Sequence, residues 1–137
     1  MALKLSTAVR NALLDAIEAA IGAAAVLKIF SGSAPANCAA ADSGTLLATL
    51  TLPADWMAAA SGGTKARSGT WEDLSADAGA PTNAGHFRLY AADGTSCHLQ
   101  GSITVTGGGG DLTLDSIAIT AGQAIAITGF TLTAPGA

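Results

Sequence analysis

The sequence predicts a mainly β protein: an antiparallel two-sheet sandwich or jelly roll with one N-terminal α-helix. Residues 6–21 place apolar side chains at helical spacing, whereas the chain after Ala25 alternates apolar and polar residues in short runs. Glycine-rich turns separate those runs, as is typical of two-layer β folds. The 137 residues fit a single domain, 1–137, with the helix at 6–21 and the sandwich at 25–134.

The predicted helix has a start signal, a stop signal and two faces. Ser6 or Thr7 can cap its start, and Gly22 follows the last periodic residue. The apolar stripe consists of Val9, Leu13, Ile17 and Ile21, widened by Leu14 and Ala20, and the other side carries Arg10, Asn11, Asp15 and Glu18. A helix this short needs a surface to dock on, so we expect the stripe to cover the domain's own sheet, with a partner as the alternative.

Short alternating runs predict the strands. They are Ala25–Phe30, Thr45–Leu52, Trp56–Ala60, Gly69–Leu74, Gly85–Ala91, Thr95–Thr106, Asp111–Leu114, Ser116–Thr120 and Ala124–Thr133. Small and turn-forming residues predict loops at Ser31–Gly44 (or an extended arm), Ser61–Ser68, Ser75–Gly85 and, as a hairpin loop, Gly107–Gly110. The apolar residues of the last strand change parity at Gly129, which predicts a bulge or bend there.

The strands on either side of Ala92-Asp93-Gly94 predict a hairpin. A three-residue loop with a left-handed Gly94 places Leu89 opposite Cys97 and separates the apolar from the polar side chains of the hairpin. One face then holds Phe87, Leu89, Ala91, Cys97 and Leu99. The other holds His86, Arg88, Tyr90, His98 and Gln100, and we interpret this face as the candidate partner-contact surface because Tyr and Arg are enriched at interfaces. An ordinary solvated face is the alternative.

Little in the chain indicates catalysis or cofactor chemistry. Gly107–Gly110 lacks the Lys and Ser/Thr of a phosphate loop, and Asp73, Asp77, Asp111 and Asp115 lack the spacing of a calcium loop. No nucleophile elbow is present, so we expect no enzyme activity, no cofactor and no metal.

Charge and hydropathy argue against two kinds of partner. The net charge is −4 and the six basic residues are scattered, which argues against nucleic-acid binding. No apolar run is long enough to span a membrane, and the Ala-rich start is predicted to be a helix rather than a signal peptide.

Two cysteines and two tryptophans allow more than one interpretation. Cys38 and Cys97 are expected to be buried or half-buried thiols, with a bridge between them open to the chain in an oxidising medium. Trp56 and Trp71 are expected in the core, with an interface anchor as the second interpretation. A stacking platform for a sugar is the corresponding alternative function.

Four phrases follow one another along the chain: L-S-T-A-V-R-N-A-L-L-D-A-I-E, V-L-K-I-F-S-G-S-A-P-A-N-C, L-P-A-D-W-M-A-A-A-S-G-G and A-G-Q-A-I-A-I-T-G-F-T-L-T-A. From about Leu3 to Ala134 the chain thereby resembles small structural proteins of tailed bacteriophages and prophages, most of all capsid decoration (cement) proteins.

The resemblance implies a virion protein made in the bacterial cytoplasm that binds the outside of the major capsid protein lattice and stabilises the shell. It also implies a homo-oligomer, a dimer or a trimer, on the capsid. Ser31–Gly44 and the N-terminal segment are candidate arms that order on contact. A phage tail or fibre component, or a carbohydrate-binding β-sandwich module, is the alternative.

Overall fold

The computed structural model describes residues 3–77 and 81–137, which contain one helix and ten strands. They are α1 (Thr7–Ile21), β1 (Val26–Ser31), β2 (Leu46–Thr51), β3 (Thr64–Ala66), β4 (Glu72–Asp73), β5 (Thr82–Tyr90), β6 (Cys97–Val105), β7 (Leu112–Leu114), β8 (Ala118–Ile119), β9 (Ile125–Ala126) and β10 (Thr131–Thr133). The predicted fold class, mainly β with an N-terminal helix in a sandwich-like arrangement, is confirmed. No helix among these residues is long and apolar enough to span a membrane.

The main sheet is built around β5. Its strand order is β2-β1-β5-β6-β7, and β8 pairs with the first residues of β5. Residues 86–90 of β5 are all buried, so both faces of this strand are covered. A strand buried on both faces cannot show one apolar and one polar side in its sequence. The residues of β5 that were predicted to contact a partner are therefore buried.

Aromatic side chains join the main sheet to two small sheets, β3/β10 and β4/β9. Phe87 of β5 meets Phe130 edge to face, with ring centroids 5.8 Å apart. Trp71 packs on Phe130 at 5.5 Å and on Trp56 at 6.0 Å. Such pairs contribute about 1 kcal/mol each beyond the area they bury. The core therefore lies between the main sheet and the small sheets.

The glycine run does not form the predicted hairpin loop. β6 and β7 are parallel, with Ile103 opposite Leu112, so the antiparallel pattern fails at this one pair of strands. The connection turns back on Thr104, whose Oγ1 accepts from Gly110 N at 2.9 Å. Gly107 and Gly109 have φ of +86° and +80°, a conformation that favours glycine. The run is thus needed for backbone shape.

Several strand boundaries differ from the prediction because very short strands carry little periodicity. Trp56–Ala60 is not a strand, and the predicted loop Ser61–Ser68 contains β3. β5 begins at Thr82, inside the predicted loop Ser75–Gly85, of which residues 78–80 lie outside the described residues. The predicted break at Gly129 is confirmed, since it separates β9 from β10.

Candidate interaction face

Helix α1 begins and ends where the sequence predicts. Ser6 Oγ accepts from Val9 N at 3.3 Å, and Gly22 N donates to Glu18 O at 2.9 Å with φ of +91° at the glycine. Both contacts satisfy backbone groups that a helix end leaves open. The position of α1 in the chain could therefore be predicted from its two caps.

The polar side of α1 faces the protein. Asn11 Oδ1 accepts from Gly63 N at 2.8 Å, and Arg10 Nη2 donates to Ala134 O at 2.9 Å. Gly63 has φ of +80°, and a Cβ there would lie 2.3 Å from the Arg10 guanidinium carbon. The turn before β3 and the start of the helix therefore approach closely because residue 63 is a glycine.

A buried lysine explains why two carboxylates of α1 face inward. Lys65 of β3 is only 3% exposed, and its Nζ lies 2.7 Å from Asp15 Oδ1 and 2.8 Å from Glu18 Oε2. Burial acts to lower the pKa of Lys65, but the hydrogen bonds to the two carboxylates outweigh it and leave the pKa raised. The Lys65 contact, with a hydrogen bond from Ala60 N, lowers the pKa of Asp15. A buried ammonium requires such partners.

The outward side of α1 is apolar. Apart from Thr7 in the first turn and Asp15 at the edge, its exposed residues are Ala8, Val9, Ala12, Leu13, Ala16, Ala19 and Ala20, which we call the outer face of α1. Val9 is 46% exposed and Leu13 45%, and Leu3 just before the helix is 80% exposed. The helix thus turns Arg10, Asn11 and Glu18 toward the domain and leaves an apolar stripe facing outward, with the half-exposed Asp15 at its edge.

The predicted docking of the apolar stripe is therefore wrong in its first half. Ile21 is buried, and Ile17 packs on the core, as expected. Leu14, one of the widening residues, is the other fully buried side chain of α1. Val9 and Leu13 face solvent instead, because the surface under α1 offers Lys65, the Gly63 N–H and the Ala134 carbonyl, which only polar side chains can satisfy.

The predicted partner-contact face on the hairpin lies mostly inside the protein. His86, Arg88 and Tyr90 are 0%, 1% and 2% exposed. Gln100 is half-buried and donates from Nε2 to Pro35 O at 2.6 Å, and His98 alone of the five is exposed. Three of these side chains cannot meet a partner in this structure, because residues 32–44 cover them.

Arg88 holds that covering segment. Its Nη2 donates to Cys38 O at 2.9 Å and to Ala40 O at 3.0 Å, and its Nη1 pairs with Asp42, which also accepts from Tyr90 Oη. Burial opposes ionisation of Asp42, but these hydrogen bonds prevail and lower its pKa. Burial and the Asp42 carboxylate raise the pKa of Tyr90. The segment is a strap over its own sheet, and the expectation of a free arm is wrong.

The N-terminal segment, the second candidate arm, is also tied down over its described residues. Leu5 N donates to Gly136 O at 2.9 Å, and Lys4 Nζ donates to Ala137 O at 2.6 Å. Residues 4–5 and 136–137 thus lie side by side next to the start of α1.

His86 is a structural residue of β5. Its Nδ1 lies 2.9 Å from Gly32 O, and its ring stacks on Phe30 with centroids 5.2 Å apart. It is opposite Ser102, whereas the predicted register, with Leu89 opposite Cys97, would place it opposite Gln100.

A bulge in the hairpin changes the predicted register. Leu89 is opposite Leu99 rather than Cys97, and the register shifts before the pair of Tyr90 and Cys97. Gly94 is left-handed as predicted, with φ of +70°, but Ala91 bonds to Ser96, which leaves a longer loop than expected. Cys97 consequently lies on the face of Arg88 and Tyr90.

The turn of this hairpin is held by Asp93. Its carboxylate accepts from Ser96 Oγ and Ser96 N and from Thr95 N, and these contacts hold the pKa of Asp93 well below its usual range. An aspartate that bonds the backbone two residues ahead is a strong turn former.

Both tryptophans are in the core, as predicted. Trp56 is 0% exposed and Trp71 1%, and Trp56 Nε1 donates to Gly22 O at 2.9 Å. Neither ring is open to a sugar or to a partner surface. The carbohydrate-binding alternative loses the residues on which it depends.

Three of the four aspartates considered as calcium ligands accept a hydrogen bond from a backbone N–H group or from a hydroxyl. Asp73 accepts from Thr49 N, Asp77 from Thr49 Oγ1, and Asp111 from Ser102 N at 2.8 Å. The Ser102 contacts lower the pKa of Asp111. Across 3–77 and 81–137, no group of three His, Cys, Asp or Glu residues is placed to hold a metal ion.

No protein-family model, curated protein or solved structure matches this chain. Function is therefore inferred from the surface that the fold presents, and the outer face of α1 is the most distinctive part of that surface.

Proposed function

We propose that this protein is a capsid decoration protein of a tailed bacteriophage, which binds the outer surface of the major capsid protein lattice through the outer face of α1. The observation that carries the proposal is the apolar outer face of α1. Its seven residues carry no charge, so a partner that covers them, short of Asp15 at the edge, removes no ion from water. Such a surface suits contact with another protein.

Other classes of partner fit this surface poorly. Each of the six basic side chains donates to the chain's own carbonyl or carboxylate oxygens; they are Lys4, Arg10, Lys28, Lys65, Arg67 and Arg88. Phosphate binding needs cations that are free to pair. A helix that lies on a membrane needs Lys and Arg along its polar side, and here that side faces the protein interior.

The size of the face favours a partner that repeats. A helix of 15 residues is about 22 Å long, so its outward stripe covers a few hundred Å². A stable interface between two proteins buries about 800 Å² on each. One such contact is therefore modest, and it becomes effective when many copies act on one particle.

The resemblance to phage decoration proteins supports a capsid as that repeating partner. The first of the four phrases that carry the resemblance, L-S-T-A-V-R-N-A-L-L-D-A-I-E, includes most of α1. The proposed contact thus lies in a part of the chain on which the resemblance depends.

Particle binding tests the proposal. Particles of the phage that encodes the chain are prepared without it, mixed with purified protein and sedimented. We expect wild type to sediment in proportion to the capsid protein and to raise the temperature at which the particles open. Val9→Glu combined with Leu13→Glu should weaken binding by at least about tenfold, because two carboxylates would enter an apolar contact.

A matched control separates this face from general surface change. Leu74→Glu combined with Val105→Glu alters the same residue types with the same charge at positions that are 70% and 44% exposed on other elements. This control should bind like wild type. Normal binding by the outer-face variant, or an equal loss in both, would contradict the proposal. Binding in a few copies per particle would identify a tail component instead.

A further inference from the structure

Two thiols from distant parts of the chain meet beside Arg88. Cys38 lies in the strap, residues 32–44, and Cys97 lies at the start of β6. Both thiols are half-buried, and both are free. They line one surface depression of about 320 Å³, together with Lys28 and Arg88.

The pairing of the thiols is set by contacts that do not involve sulfur. Arg88 binds the carbonyl oxygen of Cys38 at 2.9 Å, which fixes that residue over the sheet. The bulge places Cys97 opposite Tyr90, on the strap side of the hairpin. The backbone therefore brings the two thiols to one depression without any bond between them.

We propose that Cys38 and Cys97 form a reversible disulfide that fastens the strap to the hairpin when the protein leaves a reducing compartment. The oxidant is a low-molecular-weight disulfide. The Cys38 thiolate attacks one of its sulfur atoms and expels one thiolate, which leaves a mixed disulfide on Cys38. The Cys97 thiolate then attacks the Cys38 sulfur and expels the second thiolate. Two cysteine thiols are oxidised, and one small disulfide is reduced to two thiols.

The surroundings of the pair suit this order of steps. Burial raises the pKa of the Cys97 thiol, and the Arg88 guanidinium acts in the opposite direction. Cys97 is thus a slow first nucleophile toward a reagent in solution. Once Cys38 carries the mixed disulfide, the attack by Cys97 is intramolecular and needs little thiolate.

The bond would close a loop of about 60 residues, which restricts the unfolded chain strongly. Its use in the virion, where it would lock the protein after release from the cell, depends on the proposed function. The bond itself does not.

Oxidised glutathione is the probe for the test. Full-length protein is incubated with it at mildly alkaline pH, then analysed by intact mass, by maleimide labelling and by thermal unfolding. We expect the mass of the protein to fall by that of two hydrogen atoms and both free thiols to disappear, with no disulfide between chains. The Tm should rise by roughly 10 °C. Dithiothreitol should reverse each change.

Single-cysteine variants show whether the second step occurs inside one chain. Cys97→Ser should keep a glutathione adduct on Cys38, whereas wild type should not accumulate one. Persistent adducts on wild type, two thiols that stay free, or bonds between chains would overturn the proposal. Because the test uses the free protein, its failure leaves the capsid proposal standing, and failure of particle binding leaves the disulfide standing.

Discussion

At the residue scale, Arg88 shows how a charge becomes part of a core. Its side chain is 1% exposed, and each of its hydrogen bonds joins β5 to the strap. A buried guanidinium is tolerated only when oxygens surround it, and here three strap carbonyls and the Asp42 carboxylate do so. The sequence predicts Arg88 on the surface, whereas in the fold it is a buried residue that holds the strap.

Replacement of Arg88 should therefore release the strap. We expect Arg88→Met to lower the free energy of unfolding by about 2–4 kcal/mol, since it leaves the Asp42 carboxylate and the strap carbonyls without the guanidinium that bonds them. Urea unfolding measures the loss, and hydrogen exchange should show faster exchange in residues 32–44. Asp42→Asn, at a 43% exposed side chain, should cost less. An unchanged midpoint for Arg88→Met would contradict this role.

The titrating groups predict a pH range of maximal stability. Asp42, Asp93 and Asp111 have lowered pKa values, so they contribute stability that is present above about pH 4 and lost as the pH falls further. Lys65 and Tyr90 have raised pKa values, so their contributions are complete below about pH 10 and lost above it.

Thermal unfolding between pH 2 and pH 11 measures this range. We expect a plateau bounded by those two limbs. Asp42→Asn should weaken the acid limb, and Tyr90→Phe the alkaline limb. A steady change in Tm across the whole range would contradict the assignment.

At the element scale, Lys65 sets the orientation of α1. We expect Lys65→Met to destabilise the protein by about 1–3 kcal/mol, because Asp15 and Glu18 would face the domain without a cation. The amides of α1 should then exchange faster than those of β5. Lys4→Met, which removes an exposed contact with the last residue, is the control and should change stability by less than about 0.5 kcal/mol. Equal effects of the two variants would count against this explanation.

The limits of α1 could be predicted from the sequence, but its orientation could not. Ser6 and Gly22 mark its ends through local backbone chemistry, which neighbouring residues reveal. Which side faces inward depends on Lys65, more than 40 residues away, and on N–H groups such as that of Gly63. An amphipathic pattern defines two faces of a helix. The prediction that the apolar face docks is correct only where the surface beneath the helix is apolar.

The hairpin shows the same division between local and distant causes. The turn at Asp93 and Gly94 was predicted from its own residues. The bulge before Tyr90 and the burial of His86 depend on the strap, which starts more than 50 residues earlier. Alternation therefore identified the faces of β5 but could not show that both are covered.

At the scale of the whole molecule, the basic side chains and the carboxylates of α1 make contacts within the chain, and the apolar outer face of α1 is exposed. All six basic side chains and the carboxylates of α1 bond to the chain itself, whereas the outer face of α1 bonds to nothing. A protein that only had to remain folded and dissolved would gain from the opposite arrangement. The arrangement is the one that the proposed contact with a repeating protein surface requires. A dimer or trimer on that surface stays a prediction.

Cryo-electron microscopy of phage particles decorated with this protein is the decisive measurement for the proposed contact. We expect density for the protein on the outside of the shell, with Val9 and Leu13 against the major capsid protein. Density that places α1 toward solvent, with another element against the shell, would contradict it.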